Sequence, residues 1–289
     1  MNNIDTQYKN LVEKILKDGK WKSNRTGEDC LTIAGYMIEH NMSEGFPLLT
    51  SRKIPFKSTK VELEFFIKGY TDKKWLQDRG CHYWDGWCNP QKVQYGHDPE
   101  TKRKMSEERD LGLIYGSVWR DFHDPRVKSG EATHVDQLKN LVDLLKTDPN
   151  NRRLLCSGWN PLVIENNCAA LPSCHYSFQV TVVGDELNLA WNQRSVDVCC
   201  NQTITTYALM LHLLAREAKM KEGKLIGFFT DAHIYKSHIE TVKKQINNIT
   251  YDLPYVSTPN FTNIFDWKHE DTTLNDYKAT ENMKYVVAI

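Results

Sequence analysis

Two strand-like runs joined by a tight turn constrain the fold of this chain more than any other feature. The first run, residues 177–183, is rich in Val, Thr and Phe, residues 187–195 form the second run, and the Gly-Asp pair at 184–185 between them suits a hairpin. Antiparallel pairing would bring the far ends of the runs together, so Cys174 should lie beside Arg194. A guanidinium near a thiol favours the nucleophilic thiolate. The pattern predicts a nucleophile beside an anion site, with a buried structural cysteine as the competing interpretation.

The chain is predicted to form one α+β domain spanning residues 1–289. No internal repeat, low-complexity segment or Ser- or Gly-rich linker divides it. Residues 89–109 are polar and contain Pro and Gly, and we expect a surface insertion there that covers no core. Lys plus Arg equals Asp plus Glu at 37 each, which argues against binding of DNA or of nucleic acid in general.

Composition also indicates a cytoplasmic protein. No apolar run approaches the roughly 20 residues that span a bilayer, and the N-terminus lacks the features of a signal peptide, so we expect no membrane partner. The eight cysteines are scattered, with an adjacent pair at 199–200, unlike the disulfide framework of a secreted domain. Cys81 and Cys88 have no further ligands at metal-site spacing, and no metal is expected.

Hydrophobic periodicity locates the main elements. It predicts helices over 8–16, 58–69, 134–147, 203–220 and 233–248, and strands over 31–41, 153–159, 177–183, 187–195 and 224–229. In the helix over 134–147, one apolar face is formed by Val135, Leu138, Val142 and Leu145. Arg152 and Arg153, read as neighbours on a strand, should point to opposite faces.

Several ordered motifs resemble the thymidylate synthase family. Pro-Ser-Cys-His at 172–175 and Gln-Arg-Ser-Val-Asp at 193–197 resemble its nucleophile region and its phosphate-binding strand. Thr-Asp-Ala-His-Ile-Tyr at 230–235 resembles the ribose-binding segment, and Val-Ala-Ile at 287–289 resembles the closing C-terminus. The motifs extend along nearly the whole chain. The resemblance implies the thymidylate synthase fold, a large mixed β-sheet flanked by helices, with sheets packed across a homodimer.

The resemblance also implies which groups carry the chemistry. Cys174 is the implied nucleophile, Glu62 the group that moves protons through water, and Tyr115 a tyrosine near the nucleophile. A carboxylate on a mostly apolar helix should have a raised pKa, which suits acid–base work. Glu64 is the rival two residues on; it should point to another face, and without the family pattern either glutamate would be read as an exposed helix charge.

Substrate-binding residues follow from the same resemblance. Arginine's planar fork and a serine hydroxyl suit a phosphate dianion. The implied nucleotide-binding residues are Arg25, Arg152, Arg153, Gln193, Arg194 and Ser195, with His233 and Tyr235 at the ribose 3′-hydroxyl. The implied folate-binding residues are Trp84, Trp87, Leu171, Asp197 and Ile289, with Arg52 and Lys53 at the glutamate tail. In the family the Arg152–Arg153 pair reaches into the other subunit's site, which implies a homodimer with shared sites.

The sequence departs from the family pattern after Asp197. Two residues are missing before the helix that contains Tyr207, and Thr203 falls where the family has the asparagine that reads the pyrimidine edge. Only Asn201 or Gln202 could supply an amide in its place. A hydroxyl can donate or accept by rotating, so we expect weak discrimination between uracil and cytosine.

The implied activity is one-carbon transfer to C5 of a pyrimidine nucleoside 5′-monophosphate, with 5,10-methylenetetrahydrofolate as cofactor. Trp84 and the Val-Ala-Ile end are associated with keeping water out, which favours reductive methylation of dUMP to dTMP. The altered base-reading loop keeps open a C5 hydroxymethylase of CMP, dCMP or dUMP, in which water replaces hydride. A non-catalytic relative that binds nucleotide or RNA is a third alternative, against which Cys174 and Glu62 count.

Overall fold

A six-stranded mixed sheet forms the centre of the computed structural model, which describes residues 1–127, 130, 133–200 and 202–285. Its strands are β1 (Lys20–Lys22), β2 (Cys30–Asn41), β3 (Leu155–Ser157), β4 (His175–Val183), β5 (Glu186–Asp197) and β6 (Lys221–Tyr235). Their spatial order is β1-β2-β6-β5-β4-β3; β5 and β6 are parallel, and the other neighbours are antiparallel. The mixed sheet agrees with the prediction. Strands β7 (Tyr255–Ser257) and β8 (Thr273–Asn275) pair separately.

Helices surround this sheet. They are α1 (Asn3–Asp18), α2 (Phe56–Ile67), α3 (Lys74–Gln77), α4 (Pro99–Glu107), α5 (Tyr115–Arg120), α6 (Gln137–Thr147), α7 (Pro161–Glu165), α8 (Thr203–Ala218) and α9 (Ile239–Gln245). Short 3₁₀ turns cover Met42–Glu44, Lys236–His238 and His269–Asp271. Among the described residues, no helix has the length and apolar character to cross a membrane.

The predicted hairpin is confirmed as β4 and β5. Gly184 adopts φ +65° in the turn, a conformation that costs glycine little, and Val183 pairs with Glu186 on either side of it. At the far end, Arg194 N donates to the carbonyl of Cys174 at 2.8 Å. The hairpin thus brings the two ends together as the sequence indicated.

One sheet face is covered and the other is open. Helix α8 packs against β5, β6 and α2, and its residues from Thr205 to Ala215 are all buried. On the opposite face, Met37 and Phe228 pair across β2 and β6 yet are 53% and 43% exposed, and Leu155 on β3 is 46% exposed. Apolar side chains left in solvent on a broad sheet face are typical of an interaction surface.

The predicted helix over 233–248 is wrong at its start. Strand β6 continues through Tyr235, because its backbone pairs with β2 on one side as far as Cys30 and with β5 on the other as far as Asp197. Helical structure begins only at Lys236. Pairing on both sides satisfies the backbone of this segment, and that outweighs a local helical pattern.

Other boundaries also differ from the prediction. Helix α6 begins at Gln137, where the Asp136 side chain accepts from Lys139 N, and Val135 is 37% exposed rather than part of the apolar face. Arg152 and Arg153 lie in an exposed turn before β3, so the predicted strand placement is wrong. Their side chains are therefore not fixed on opposite faces of a sheet.

Two features of the remaining chain position the site. Residues 89–109 lie largely at the surface, but they contain α4, which the sequence analysis missed, and Met105 in this helix is 2% exposed. Helix α5 approaches α2 so closely that a Cβ at Gly116 would lie 2.1 Å from the Phe66 carbonyl oxygen. Only glycine permits this approach, which sets Tyr115 at the start of α5.

Candidate active site

A cavity of about 920 Å³ opens where the β4–β5 hairpin, β6, α2 and the start of α8 meet. The sequence-predicted site residues that line it are Arg25, Arg52, Lys53, Glu62, Trp84, Trp87, Tyr115, Leu171, Cys174, Gln193, Arg194, Ser195, Asp197, Thr203, His233 and Tyr235. The volume falls in the range of small-molecule sites. One cavity therefore gathers groups that lie far apart in the sequence.

Cys174 is held against Arg194 immediately before β4. Arg194 Nη2 lies 3.8 Å from the sulfur, while Nε and Nη2 donate to the carbonyls of Ser173 and Pro172 at 3.0 and 2.8 Å. The backbone N–H of Cys174 donates to the Tyr115 hydroxyl at 2.9 Å. These contacts fix a thiol beside a cation at the cavity wall, as the hairpin argument predicted.

Tyr115 is constrained by its backbone as well as by its hydroxyl. It has φ +28°, a conformation that costs a non-glycine residue energy and is concentrated at functional sites. Its ring stacks on His175 at 4.1 Å between centroids. Burial raises the pKa of Tyr115 well above its usual value, so the phenol stays protonated. Since its oxygen accepts from Cys174, its own proton can reach another acceptor.

His175 is a neutral structural partner rather than a cation. Burial lowers its pKa to about 3, and Nδ1 lies 2.9 Å from the Tyr207 hydroxyl. The Cys-His dipeptide therefore does not form an ion pair. Arg194 supplies the positive charge near the sulfur.

Glu62 projects from α2 into the cavity. Its carboxylate accepts from Trp84 Nε1 at 2.7 Å, and burial raises its pKa to about 7 despite that bond. The predicted upward shift is confirmed. Glu64 points elsewhere, as predicted, but it is buried rather than an exposed charge, and it accepts from the backbone N of His269 at 2.8 Å and contacts Nδ1 at 2.7 Å.

The predicted ribose residues lie on β6. His233 Nδ1 lies 2.8 Å from Asp231, which also pairs with Lys22 at 2.6 Å. Burial raises the pKa of Tyr235 to about 12, so it presents a neutral hydroxyl. Asp231 and Lys22 line the cavity too, and Lys22 carries no sequence signal that could have identified it.

Arg25 lies at the rim of the cavity near the predicted folate wall. Its guanidinium lies 5.4 Å from the Trp87 ring and 5.3 Å from the Tyr95 ring, and these two rings stack at 5.9 Å. The arrangement is a cation held by aromatic faces. It links the predicted phosphate side of the cavity to the predicted folate side.

Asp197 and Arg52 form the inner end of the predicted folate wall. Burial alone would raise the pKa of Asp197, but hydrogen bonding to His238 and the nearby His238 and His233 hold it below its usual value. Arg52 is 6% exposed, donates to the Cys199 carbonyl and lies 4.9 Å from the Tyr285 ring. The chain thus presents a fixed carboxylate and a fixed cation in one region.

Two predicted arginines do not line the cavity. Arg152 and Arg153 are exposed in their turn and do not line it. Asn201, Ile289 and the rest of the Val-Ala-Ile end lie outside the described residues. Gln202 lines the cavity, and its Oε1 accepts from the Thr59 hydroxyl at 2.9 Å.

The sequence analysis missed several cavity residues. Trp159, Tyr83, Tyr285 and Met283 line it as well, and the Arg194 guanidinium lies 5.6 Å from the Trp159 ring. Tyr285 reaches the site because the C-terminal segment folds back, with its hydroxyl donating to Gln245 at 2.6 Å. No local pattern marks such a long-range contact.

Comparison with known proteins agrees with this geometry. A family model described as Thymidylate synthase matches residues 6–289. The chain is 33% identical over 324 aligned residues to a thymidylate synthase of Staphylococcus haemolyticus (strain JCSC1435), with all of both chains covered. The chain belongs to the thymidylate synthase family. It is also 33% identical to a bifunctional dihydrofolate reductase-thymidylate synthase of Paramecium tetraurelia, covering 99% of this chain and 61% of that protein.

Thymidylate synthases are methyltransferases of nucleotide biosynthesis, and methylenetetrahydrofolate is the cofactor of this family. The cavity has features that fit this group. Arg52 Nε is a buried donor with no hydrogen-bond partner among the described residues, which suits an anionic acceptor. Trp84 and Trp87 offer aromatic surface, and Asp197 offers acceptors for a ring with N–H donors.

Glu62 should give stability a signed pH dependence. The unfolded chain releases this proton near the ordinary pKa of 4.5, while the folded chain retains it to about 7, so the wild type loses stability as pH rises between these values. Glu62→Gln keeps an acceptor for Trp84 without the charge. We expect the free energy of unfolding of Glu62→Gln to be higher than that of the wild type by about 1 kcal/mol or more at about pH 8. At about pH 5 the difference should be smaller. Urea unfolding at both pH values measures this; an equal difference at both contradicts the raised pKa.

Proposed function

We propose that this chain catalyses the reductive methylation of dUMP to dTMP with 5,10-methylenetetrahydrofolate. The observation that carries the proposal is the placement of Cys174 with Arg194 on one wall of the cavity that also holds the Glu62–Trp84 pair. A nucleophile and a group that titrates near neutral pH are the two requirements for addition to a pyrimidine ring and its reversal.

The chain's own groups divide the work as follows. Cys174 attacks C6 of the pyrimidine, and Arg194 and Ser195 at the end of β5 bind the phosphate. His233 and Tyr235 orient the ribose. Glu62, with a pKa near 7, exchanges protons with the base through water, and Trp84 holds its carboxyl group in place. The bound folate supplies the one-carbon unit and the hydride.

The C-terminal segment supports a closed, dry site. Asn282, Met283, Lys284 and Tyr285 line the cavity, and the Tyr285 ring covers the Arg52 guanidinium. Excluding water protects a reactive intermediate from hydrolysis. This supports hydride rather than water as the group that ends the reaction.

A C5 hydroxymethylase of dUMP, dCMP or CMP is the second candidate. The specific observation in its favour is the loop before α8, where Gln202 is tied to Thr59 and Thr203 is the first helical residue. The third candidate, a non-catalytic relative that binds nucleotide or RNA, has against it the intact arrangement of Cys174, Glu62 and Arg194.

We further propose a homodimer with shared sites. The open sheet face with Met37, Phe228 and Leu155 supports it, because a second copy would cover these side chains. Arg152 and Arg153 are exposed and outside their own chain's cavity, as expected of residues that serve a partner. All eight cysteines are free thiols, which supports a cytoplasmic location.

Replacement of the nucleophile tests the proposed chemistry. Cys174→Ala should abolish dTMP formation, because the variant lacks the thiol that attacks C6, while nucleotide binding stays measurable. The wild type should form a covalent complex with 5-fluoro-dUMP and methylenetetrahydrofolate, and the variant should not. Product from the variant, or a wild type that forms neither complex nor product, contradicts the proposal. Mass spectrometry of the product distinguishes a methyl from a hydroxymethyl group.

Mixed dimers test the shared site. Mixing inactive Cys174→Ala chains with inactive Arg153→Ala chains should restore some activity, because one hybrid site then has both residues; Arg152→Ala is tested in the same way. Cys174→Ala mixed with Glu62→Gln is the matched control, since both residues belong to one chain's cavity and no hybrid site is intact. Subunit exchange is confirmed separately. Failure of both arginine mixtures contradicts shared sites.

Base discrimination tests the loop before α8. A site rejects the wrong base strongly only when that base leaves a buried polar group unpaired. Thr203 carries a hydroxyl and no side-chain amide. We therefore expect kcat/KM for dUMP and dCMP to differ by about tenfold to a few hundredfold, unless Asn201 or Gln202 supplies the amide. Gln202→Ala, Asn201→Ala, Thr203→Val and Thr59→Val, which frees the Gln202 amide, are compared. If the kcat/KM values for dUMP and dCMP differ by more than roughly ten-thousandfold in all four variants, this loop does not determine which base is accepted.

A further inference from the structure

Lys73, immediately before α3, is an ammonium group enclosed by backbone carbonyls. The residue is 1% exposed, and Nζ donates to the carbonyl oxygens of Asp85 at 3.0 Å, Trp87 at 2.8 Å and Met105 at 2.8 Å. An ammonium has three donors, so these carbonyls satisfy it completely. No carboxylate forms an ion pair with it within the described part of the chain.

The three carbonyls belong to two segments that are separate in sequence. Asp85 and Trp87 lie in the tryptophan segment, residues 84–87, whereas Met105 lies in the last turn of α4. Carbonyls in the last turn of a helix have no hydrogen-bond donor within the helix, and they form the negative end of its dipole. A cation at this end is therefore stabilising. The backbone N of Lys73 also donates to the Arg109 carbonyl at 2.9 Å. Lys73 therefore ties the tryptophan segment to the C-terminal end of α4 and to the residues that follow this helix.

A lysine is a costly way to fill a buried space. Burying a charge without a carboxylate costs more than burying an apolar side chain, and burial lowers the pKa of Lys73 accordingly. The ammonium contributes directional contacts, because its three hydrogen bonds fix the position of each carbonyl group. An apolar side chain would leave the carbonyls unpaired and free to shift.

The fixed backbone carries two side chains of the cavity. Trp84 donates to Glu62 at 2.7 Å, and Trp87 lines the cavity beside Tyr95. We propose that Lys73 is a positioning residue for the folate-facing wall, acting through the backbone of the tryptophan segment. This rests on the proposed function, since it concerns the binding of the folate used there. Small misplacements of such groups reduce rates by orders of magnitude.

Lys73→Met tests the proposal, because methionine keeps the length of the stem and removes the ammonium. We expect KM for methylenetetrahydrofolate to rise about tenfold to a hundredfold, with the dissociation constant of the nucleotide nearly unchanged. Hydrogen exchange should accelerate in residues 84–108 and not in the β4–β5 hairpin. Lys74→Met is the matched control, since Lys74 is exposed and pairs with Asp78 at the surface, and all these values should match the wild type.

A wild-type folate KM in Lys73→Met, or an equal loss of nucleotide and folate binding, overturns the proposal. Should this variant fail to fold, the wild type decides. In wild-type protein with isotope-labelled lysine, the Lys73 ammonium should give an NMR signal that is protected from solvent exchange and that shifts when a folate analogue binds. The signal is assigned by its loss in Lys73→Arg. A missing protected signal, or a signal that does not shift, overturns the proposal. Failure of the proposed function is separate, because a wild type that makes no product leaves the exchange and NMR results intact.

Discussion

The parallel pairing of β5 with β6 sets the position of a central group of cavity residues. It places Ser195 opposite Asp231 and Asp197 opposite His233, so the ends of both strands present their side chains at one edge. The hairpin then adds Cys174 beside Arg194 at the same edge. A slip of one residue in either pairing would turn these side chains to the other face, so the register of three strands is also the geometry of the site.

The rest of the site depends on burial. Helix α2 is almost wholly buried, and this apolar setting raises the pKa of Glu62 to about 7. Burial also keeps His175 and Tyr115 neutral. Arg194 therefore supplies positive charge beside Cys174, and Glu62 can exchange a proton near neutral pH. Charge and proton transfer are thus assigned to different walls of the cavity.

Local sequence patterns predicted the part of the site that is formed by a contiguous segment of the chain. The strand-forming residues of 177–183 and the Gly-Asp turn located the β4–β5 hairpin and therefore the Cys174–Arg194 contact. The same reasoning placed a helix over 233–248, because a central strand paired on both sides has no unique local signature. Lys73, Lys22 and Tyr285 escaped prediction because their roles arise from contacts between distant segments. Lys73 is buried and its neighbour Lys74 is exposed, and the residue type alone does not predict this difference.

On the proposed function, attack on the base and choice of the base lie on different elements, since Cys174 precedes β4 whereas Thr203 begins α8. Helix α8 is fixed deep in the core, where Tyr207 stacks on Trp191 and bonds to His175. Asp197 is fixed as well, because it pairs with His233 on β6 and accepts a hydrogen bond from the backbone N of Cys199. The shortening that the family resemblance implies therefore lies between two fixed elements, β5 and α8. Gln202 and Thr203 line the cavity next to this connection, so we expect the shortening to alter the groups that meet the base and to leave Cys174 and Glu62 in place.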